Sequence, residues 1–309
     1  PRDCTFAVLE LGMNRAGEIA ELAALVRPHV AVVTAIAPAH VEMLGSLKAI
    51  ADAKAEIFGG LESDGVAIIP NGSEHRDRLV KAARRTAGRI ITFGTGDADV
   101  HAVHAVVADG SGSLITAALL ERELTFTISQ RGDHWVSNAL AVLAAVEAVG
   151  ADVAVAGLAL ADMGGLKGRG ERHVVAVGGG TALLIDESYN ANPASMAATL
   201  KSLGEEREAK RRIAVLGPMR ELGEESEALH LGLAPAIIDS KVEQLILIGP
   251  EMEPLGAAIG AAASVHGAAD VEEASAKLLA ILRPGDAVLV KASNTVGLAA
   301  LVDRVTRGR

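Results

Sequence analysis

Three side chains near the start of the chain have the chemistry to hold a divalent cation. Glu10 ends an apolar run that predicts a strand, and His40 follows the next such run. Because open α/β sheets bind ligands beyond the carboxyl ends of parallel strands, both are candidate metal ligands on one sheet edge. Position alone favours a solvated carboxylate and an ordinary surface histidine. Lys54 lies in a predicted helix, and its spacing favours a solvated lysine.

A second set of polar side chains has the chemistry to bind a nucleotide. Arg169 lies between two glycines, and its guanidinium offers paired donors to a phosphate that the loop allows to approach closely. Asp186 ends a hydrophobic run, where a carboxylate can accept from ribose hydroxyls. Asn138 carries an amide that can read a base edge, cap a helix or face solvent. Each of these residues alone also fits an ordinary structural role.

The elements that would position these residues predict an α/β protein. Up to residue 95, short apolar runs at 6–11, 30–36, 66–69 and 90–93 alternate with helical patterns. This alternation is typical of crossover units on a parallel sheet. Residues 100–129 instead form short alternating runs, which predict a small antiparallel sheet. Two helices are predicted next, at 135–149 and 152–163.

A glycine-rich segment at 164–170 interrupts this pattern and predicts a boundary between two domains, 1–167 and 168–309. The second domain is predicted to begin with a hairpin, 173–177 with 182–187. Three strand-and-helix repeats follow, with strands at 212–217, 243–248 and 286–291. This order predicts a smaller, doubly wound, Rossmann-like sheet.

Composition limits the possible classes of protein. The formal net charge of −10, from 29 basic and 39 acidic side chains, argues against a nucleic-acid partner. No apolar run approaches the length of a membrane span. The single cysteine, Cys4, cannot form an internal disulfide, so we predict a reducing cytoplasm. The chain begins without Met and enters an apolar run almost at once, so we expect that an upstream portion is missing.

Several segments taken in order resemble the Mur ligase family, and the resemblance runs over essentially the whole chain. The matching segments are Glu10-Leu11-Gly12-Met13-Asn14, Gly17-Glu18-Ile19, Ala39-His40-Val41-Glu42, Ala53-Lys54-Ala55-Glu56-Ile57, Gly168-Arg169-Gly170 and Asp186 to Pro193. Their order matches the central and C-terminal domains of the family. Tyr189 to Pro193, Ser195-Met196 and Glu221-Leu222-Gly223 resemble the members that add D-alanyl-D-alanine to a UDP-MurNAc-tripeptide in peptidoglycan synthesis.

The resemblance implies an ATP-dependent ligase that forms an acyl phosphate, which the amine of the dipeptide then attacks. It implies that Glu10 holds a Mg²⁺ between the ATP phosphates, and that His40 and Lys54 hold a second one. For this role Lys54 would have to be a carbamylated lysine, whose oxygens suit hard Mg²⁺.

The same resemblance assigns the remaining site residues. It places Asn138 at adenine, Arg169 at the γ-phosphate, and Asp186 with Tyr189 and Asn190 at the nucleoside. The segment near the incoming dipeptide comprises Lys291, Ser293 and Asn294, and His230 is assigned to the same region.

The chain departs from the family pattern in three ways. Pro218 stands where relatives often have Asp, and Ala292 stands where they usually have Gly. The phosphate-binding pattern G-x-x-x-x-G-K-[ST] is absent, and no Gly-Lys dipeptide occurs. We therefore expect that this chain alone binds nucleotide weakly and lacks turnover, and that the missing N-terminal domain of the same protein holds the phosphate loop.

Three alternatives stay open at this point. One is another amino acid ligase of the Mur or folylpolyglutamate type, and another is a non-catalytic nucleotide-binding fragment. A nicotinamide-dependent dehydrogenase is disfavoured, because Gly178-Gly179-Gly180 lacks the spaced dinucleotide fingerprint.

Overall fold

A computed structural model describes residues 3–38, 41–107, 112–163 and 165–307. Within these ranges the chain forms two six-stranded sheets, each with its own helices. The first sheet is built from residues 30–128 and the second from residues 171–291. None of the helices in these ranges is long and apolar enough to cross a bilayer.

The first sheet has the strand order β1-β2-β3-β4-β5-β6. Its strands are β1 Val30–Val32, β2 Val66–Pro70, β3 Arg89–Gly94, β4 Val100–Val107, β5 Ser113–Leu119 and β6 Arg122–Ile128. The pairings from β1 to β4 are parallel, and those of β5 with β4 and β6 are antiparallel. Every residue of β2 is buried, as expected for a parallel strand covered on both faces. The predicted change from parallel to antiparallel strands is confirmed.

Helices cover both faces of this sheet and give it two apolar layers. They are α1 Glu18–Val26, α2 Val41–Leu44, α3 Leu47–Ala55, α4 Arg76–Ala83, α5 Asp133–Ala148 and α6 Val153–Asp162, with a 3₁₀ turn at Glu56–Gly60. Ser46 begins α3, because its hydroxyl accepts a hydrogen bond from the Ala49 N–H at 3.2 Å. Asp133 is the first residue of α5 rather than its cap, and its carboxylate pairs with Lys201 instead.

The strand predicted at residues 6–11 does not form. The segment forms no regular element and pairs with no described strand, and Phe6, Val8 and Leu9 are 54%, 96% and 59% exposed. An apolar run becomes a strand only where a neighbour supplies hydrogen bonds and a surface to cover its side chains. Glu10 is therefore held by an irregular segment and not by a strand end.

The second sheet has the strand order β11-β10-β9-β12-β8-β7. Its strands are β7 Glu171–Val177, β8 Gly180–Glu187, β9 Arg211–Leu216, β10 Gln244–Ile248, β11 Ser264–Ala268 and β12 Asp286–Lys291. All of its pairings are parallel except the hairpin of β7 with β8. The hairpin and the three predicted strands are confirmed. Edge strand β11 was missed, because Ser264, His266 and Gly267 interrupt its apolar pattern.

Helices on both faces of this sheet confirm the doubly wound arrangement. They are α7 Pro193–Gly204, α8 Ser226–Leu231, α9 Ala234–Asp239, α10 Glu253–Ile259, α11 Val271–Ile281 and α12 Ala299–Thr306. Part of the motif that ends at Pro193 has a structural role, because these residues form the N-terminus of α7. Asn192 accepts from the Ser195 N–H while the Ser195 hydroxyl accepts from the Asn192 N–H, and Pro193 occupies the first helical turn.

Candidate functional site

Lys54 lies in the last turn of α3 and is partly buried. This burial lowers the pKa of the Lys54 amine, and the negative charge of Glu10 opposes the shift. Glu10 is exposed, and its effect on Lys54 places the two groups in one electrostatic neighbourhood. The structure thus brings together two of the three predicted cation ligands. His40 lies outside the described residues.

Glu56 connects the Lys54 helix to the segment that follows Glu10. Its carboxylate accepts hydrogen bonds from the N–H groups of Gly17 and Ala20, at 2.8 and 3.2 Å. These donors belong to the first turn of α1, where no other side chain caps the helix. The motif that contains Glu56 indicates no role for its side chain. The structure shows that it fixes α1 and the preceding loop against the end of α3.

The second domain contacts the first at α2. The Glu42 N–H of α2 donates to the carbonyl of Glu221 at 3.2 Å, so the loop after β9 touches α2. That loop runs from Gly217 to Gly223 and contains the motif residues from Glu221 onward.

Arg169 and Tyr189 form one exposed surface at the start of the second domain. The Arg169 guanidinium carbon lies 4.2 Å from the centre of the Tyr189 ring, in a cation–π contact. Gly168 permits this arrangement, because a Cβ there would lie 2.9 Å from the Cβ of Tyr189. Asn190 is exposed beside Tyr189. Three of the predicted nucleotide-binding residues are therefore neighbours with accessible side chains.

Asp186 differs from these three because it is fully buried. Its two carboxylate oxygens accept from the N–H groups of Gly168 and Ser188, each at 3.0 Å. In this structure Asp186 shapes the loop that presents Arg169, whereas the sequence analysis expected it at a nucleoside.

Lys291 is also buried, at 2% exposure, and its contacts lie within the chain. Its ammonium donates to the Asn190 carbonyl at 2.9 Å and to the Glu187 carboxylate at 3.3 Å. Burial lowers the pKa of Lys291 and raises the pKa of Glu187, although each partner's charge opposes the shift of the other. Glu187 was not predicted as a partner.

Ser293 and His230 hold the loop that follows β9. The Ser293 hydroxyl accepts from the Arg220 N–H at 2.9 Å, and His230 Nε2 accepts from the Met219 N–H at 2.8 Å. His230 Nδ1 lies 2.7 Å from the Ser226 carbonyl, so it carries the proton and both ring nitrogens are engaged. Burial lowers the pKa of His230, consistent with a neutral ring. Asn294 is exposed at the end of this region.

A cavity of about 500 Å³ opens at the carboxyl edge of the first sheet. Its lining includes Thr34 beyond β1, Ser73 and His75 beyond β2, Gly94 at the end of β3, and Ser137 of α5. Asn138, the predicted adenine contact, follows Ser137 and is exposed. His75 Nε2 is buried with no hydrogen-bond partner among the described residues. The sequence analysis did not single out His75.

Ion pairs join the two domains. Glu206 is 5% exposed and pairs with Arg131 at 3.1 Å and with Arg172 at 2.9 Å. Next to them, His134 is desolvated and lies near the charge of Lys291, and these effects lower its pKa to about 4. None of these residues could be placed at an interface from local sequence patterns.

The two parts of the chain match two family descriptions. Residues 1–146 match the Mur ligase middle domain, and residues 168–294 match the Mur ligase, glutamate ligase domain. A relative from Synechocystis sp., named UDP-N-acetylmuramoyl-tripeptide--D-alanyl-D-alanine ligase, is 33% identical over 98% of this chain and 63% of its own length. The protein of that name from Bacillus subtilis is 34% identical over 98% of this chain and 64% of its own. The chain thus spans a little under two thirds of these relatives.

A solved structure, MurF from Acinetobacter baumannii, has the same arrangement of elements. It superposes with a TM-score of 0.86 at 27% identity, over 99% of this chain and 66% of that one. Together with the two domain matches, this similarity shows that the chain belongs to the Mur ligase family, as the middle and glutamate ligase domains joined in one polypeptide.

Proposed function

We propose that this chain forms the catalytic middle and acceptor-side domains of an ATP-dependent ligase that adds D-alanyl-D-alanine to a UDP-MurNAc-tripeptide. Relatives of this name align with nearly the whole chain. We further propose that the protein works in the cytoplasm in peptidoglycan synthesis, and that its domains divide between residues 167 and 168.

The observation that carries the proposal is the environment of Lys54. A lysine can supply oxygen ligands to a metal if its neutral amine takes up carbon dioxide, forming a C–N bond and releasing one proton. Burial lowers the pKa of Lys54 and so increases the neutral fraction, while the nearby carboxylate of Glu10 would be an oxygen ligand for the other ion. These donors fit Mg²⁺, which prefers oxygen ligands.

Charge neutralisation is the main requirement of this chemistry, because negative charge develops on the phosphate and acyl oxygens. We assign one Mg²⁺ to Glu10 and a second Mg²⁺ to His40 together with carbamylated Lys54. The two ions would neutralise the negative charge on the phosphate and acyl oxygens. Arg169, oriented by the Tyr189 ring, would bind the γ-phosphate. Tyr189 and Asn190 would contact the nucleoside, and Asn138 the adenine beside the cavity.

The acceptor side would be formed by the loop after β9. Ser293 and His230 hold the backbone of this loop, and Lys291 holds the Asn190 carbonyl. These residues would position the D-alanyl-D-alanine amine, with the exposed Asn294 closest to solvent. Asp186 would act indirectly, because its hydrogen bond to the Gly168 N–H holds the loop that carries Arg169.

A phosphate-release assay tests the proposed substrates, in a protein of the relatives' full length. We expect release that requires both the UDP-MurNAc-tripeptide and D-alanyl-D-alanine. Equal rates with a single amino acid in place of the dipeptide would indicate a different ligase of the family.

Lys54→Ala in the same protein should lower the rate by about 100-fold or more, because a ligand of the charge-neutralising centre is removed. Small carboxylates should restore part of the rate, whereas Lys54→Arg should stay inactive because guanidinium stays cationic. Lys48→Ala is the matched control, since Lys48 is exposed on the same helix. Unchanged turnover of Lys54→Ala at low carbon dioxide would refute the assignment.

A further inference from the structure

Three metal-binding side chains meet on the hairpin that begins the second domain. Glu171 and His173 are two residues apart on β7, so they point to the same face of the sheet. Asp186 of β8 pairs directly with Glu171 in the antiparallel register. The ligand atoms of the three side chains all lie within 4.8 Å of one another.

The His173 imidazole has a ring nitrogen that could bind a metal ion. His173 Nε2 is buried and has no hydrogen-bond partner among the described residues, and it lies 3.6 Å from a carboxylate oxygen of Glu171. Burying such an atom without a partner costs free energy, and a metal ion would remove that cost.

The buried carboxylate is held as metal-binding carboxylates usually are. Asp186 is 0% exposed, and the N–H groups of Gly168 and Ser188 fix its orientation. Each of its oxygens has a second lone pair left for a cation. Glu171 is partly exposed, which leaves a route for an ion to enter.

The types of ligand atom, one imidazole nitrogen and carboxylate oxygens, indicate which kind of metal ion the site would bind. Mg²⁺ and Ca²⁺ prefer oxygen ligands only, whereas one imidazole with carboxylates suits Zn²⁺. Zinc bonds to nitrogen and oxygen of about 2.1 Å place tetrahedral ligand atoms about 3.4 Å apart. The separation of 3.6 Å between His173 and Glu171 is already near this value.

We propose that Glu171, His173 and Asp186 bind one zinc-like divalent transition metal ion, separate from the cation site at Glu10 and Lys54. A water molecule completes its tetrahedron. Because Asp186 also holds the Gly168 N–H, the ion fixes the start of the Gly168-Arg169-Gly170 segment.

The test uses the metal-free purified chain titrated with Zn²⁺ against a chromogenic chelator, and with Co²⁺ followed by visible absorption. We expect one Zn²⁺ per chain and the intense absorption of tetrahedral Co²⁺. His173→Gln and Glu171→Gln should each weaken binding by about 10-fold or more. The controls are His266→Gln on β11, which replaces a histidine bonded to Gln244, and Cys4→Ser at the exposed thiol, and both should bind as the parent chain does.

Parent-like zinc affinity in His173→Gln, or loss of binding in either control, would overturn the proposal. X-ray absorption of the zinc-loaded parent chain gives a second test that does not depend on how the variants fold. It should report one imidazole nitrogen and oxygen ligands. A sulfur ligand, or six oxygen ligands without imidazole, would show adventitious binding and exclude this site.

Discussion

At the scale of single residues, the absence of a side chain at position 217 makes room for Ala292. Ala292 is fully buried, and a Cβ added to Gly217 would lie 2.8 Å from its methyl group. The two residues begin neighbouring loops after β9 and β12, and the Gly217 N–H donates to the Lys291 carbonyl. The departure from the family at Ala292 is therefore accommodated inside the chain, beside the loop that we assign to the acceptor.

Gly217→Ala should destabilise the second domain by about 1 to 3 kcal/mol, because the added methyl overpacks a buried site. Combining it with Ala292→Gly should recover much of this loss, since the clashing methyl is then removed. Urea unfolding of the two single variants and the double variant measures the coupling.

Gly267→Ala on β11 is the control, since nothing lies within 4 Å of its added Cβ. It should stay within about 0.5 kcal/mol of the parent chain. Strict additivity of the Gly217 and Ala292 changes would contradict the proposed contact.

At the scale of elements, the N-terminus of α1 depends on a side chain from another helix. Its N-cap is Gly17, which has no side chain, and Glu56 accepts the hydrogen bonds of two of its N–H groups. A carboxylate at this end also interacts favourably with the helix dipole. Because Glu56 is two residues from Lys54, the same contact sets the distance between α1 and the cation site that we propose.

Glu56→Gln should therefore lower stability by about 1 to 2 kcal/mol, since one acceptor and the negative charge are lost. Hydrogen exchange should speed up at the amides of Gly17 and Ala20 and remain unchanged in the second domain. Glu62→Gln provides a matched control, because Glu62 only pairs with the exposed Arg27. Equal exchange in both variants would show that Glu56 does not cap α1.

At the scale of the whole molecule, charged and titratable groups lie where the two domains meet. Glu206 pairs with an arginine from each side of the boundary, and His134 lies beside the buried Lys291. An uncharged His134 fits this interface, because protonation would place a second positive charge near Lys291.

The direction of the pKa shift of His134 determines how the stability of the folded chain changes with pH. The pKa of His134 falls from 6.5 to about 4 on folding, so its stabilising contribution is complete above pH 6.5. It is lost as the pH falls from 6.5 towards 4. Between pH 7 and pH 5 this group should remove about 2 kcal/mol of stability.

Urea unfolding followed by the fluorescence of Trp135, the only tryptophan, measures this loss. His134→Gln should show a smaller decrease between pH 7 and pH 5. The exposed His29→Gln, as a control, should keep the decrease of the parent chain. The same decrease in His134→Gln and the parent chain would assign the effect to other groups.

The order of short motifs determined the family, because each is a local run of residues that the sequence displays directly. Periodicity likewise predicted both sheets, the hairpin and most helices, since side-chain spacing of 2 and 3.6 residues is a local property. The strand predicted from periodicity at residues 6–11 was wrong. The apolar pattern of these residues is typical of a strand, but no described strand lies beside them. A strand forms only beside another strand that accepts and donates its backbone hydrogen bonds, and that second strand can lie far away in the sequence.

Only the tertiary structure decided what most site residues do. The sequence predicts Asp186, Lys291 and His230 as ligand contacts, and the structure adds that all three are buried and hydrogen-bonded to neighbouring loops. Cross-strand register brought Asp186 to Glu171, and helix packing brought Glu56 to Gly17 across 39 positions. Such contacts arise when separate elements bury their apolar faces against each other, so the charges and hydrogen bonds that result depend on the assembled fold.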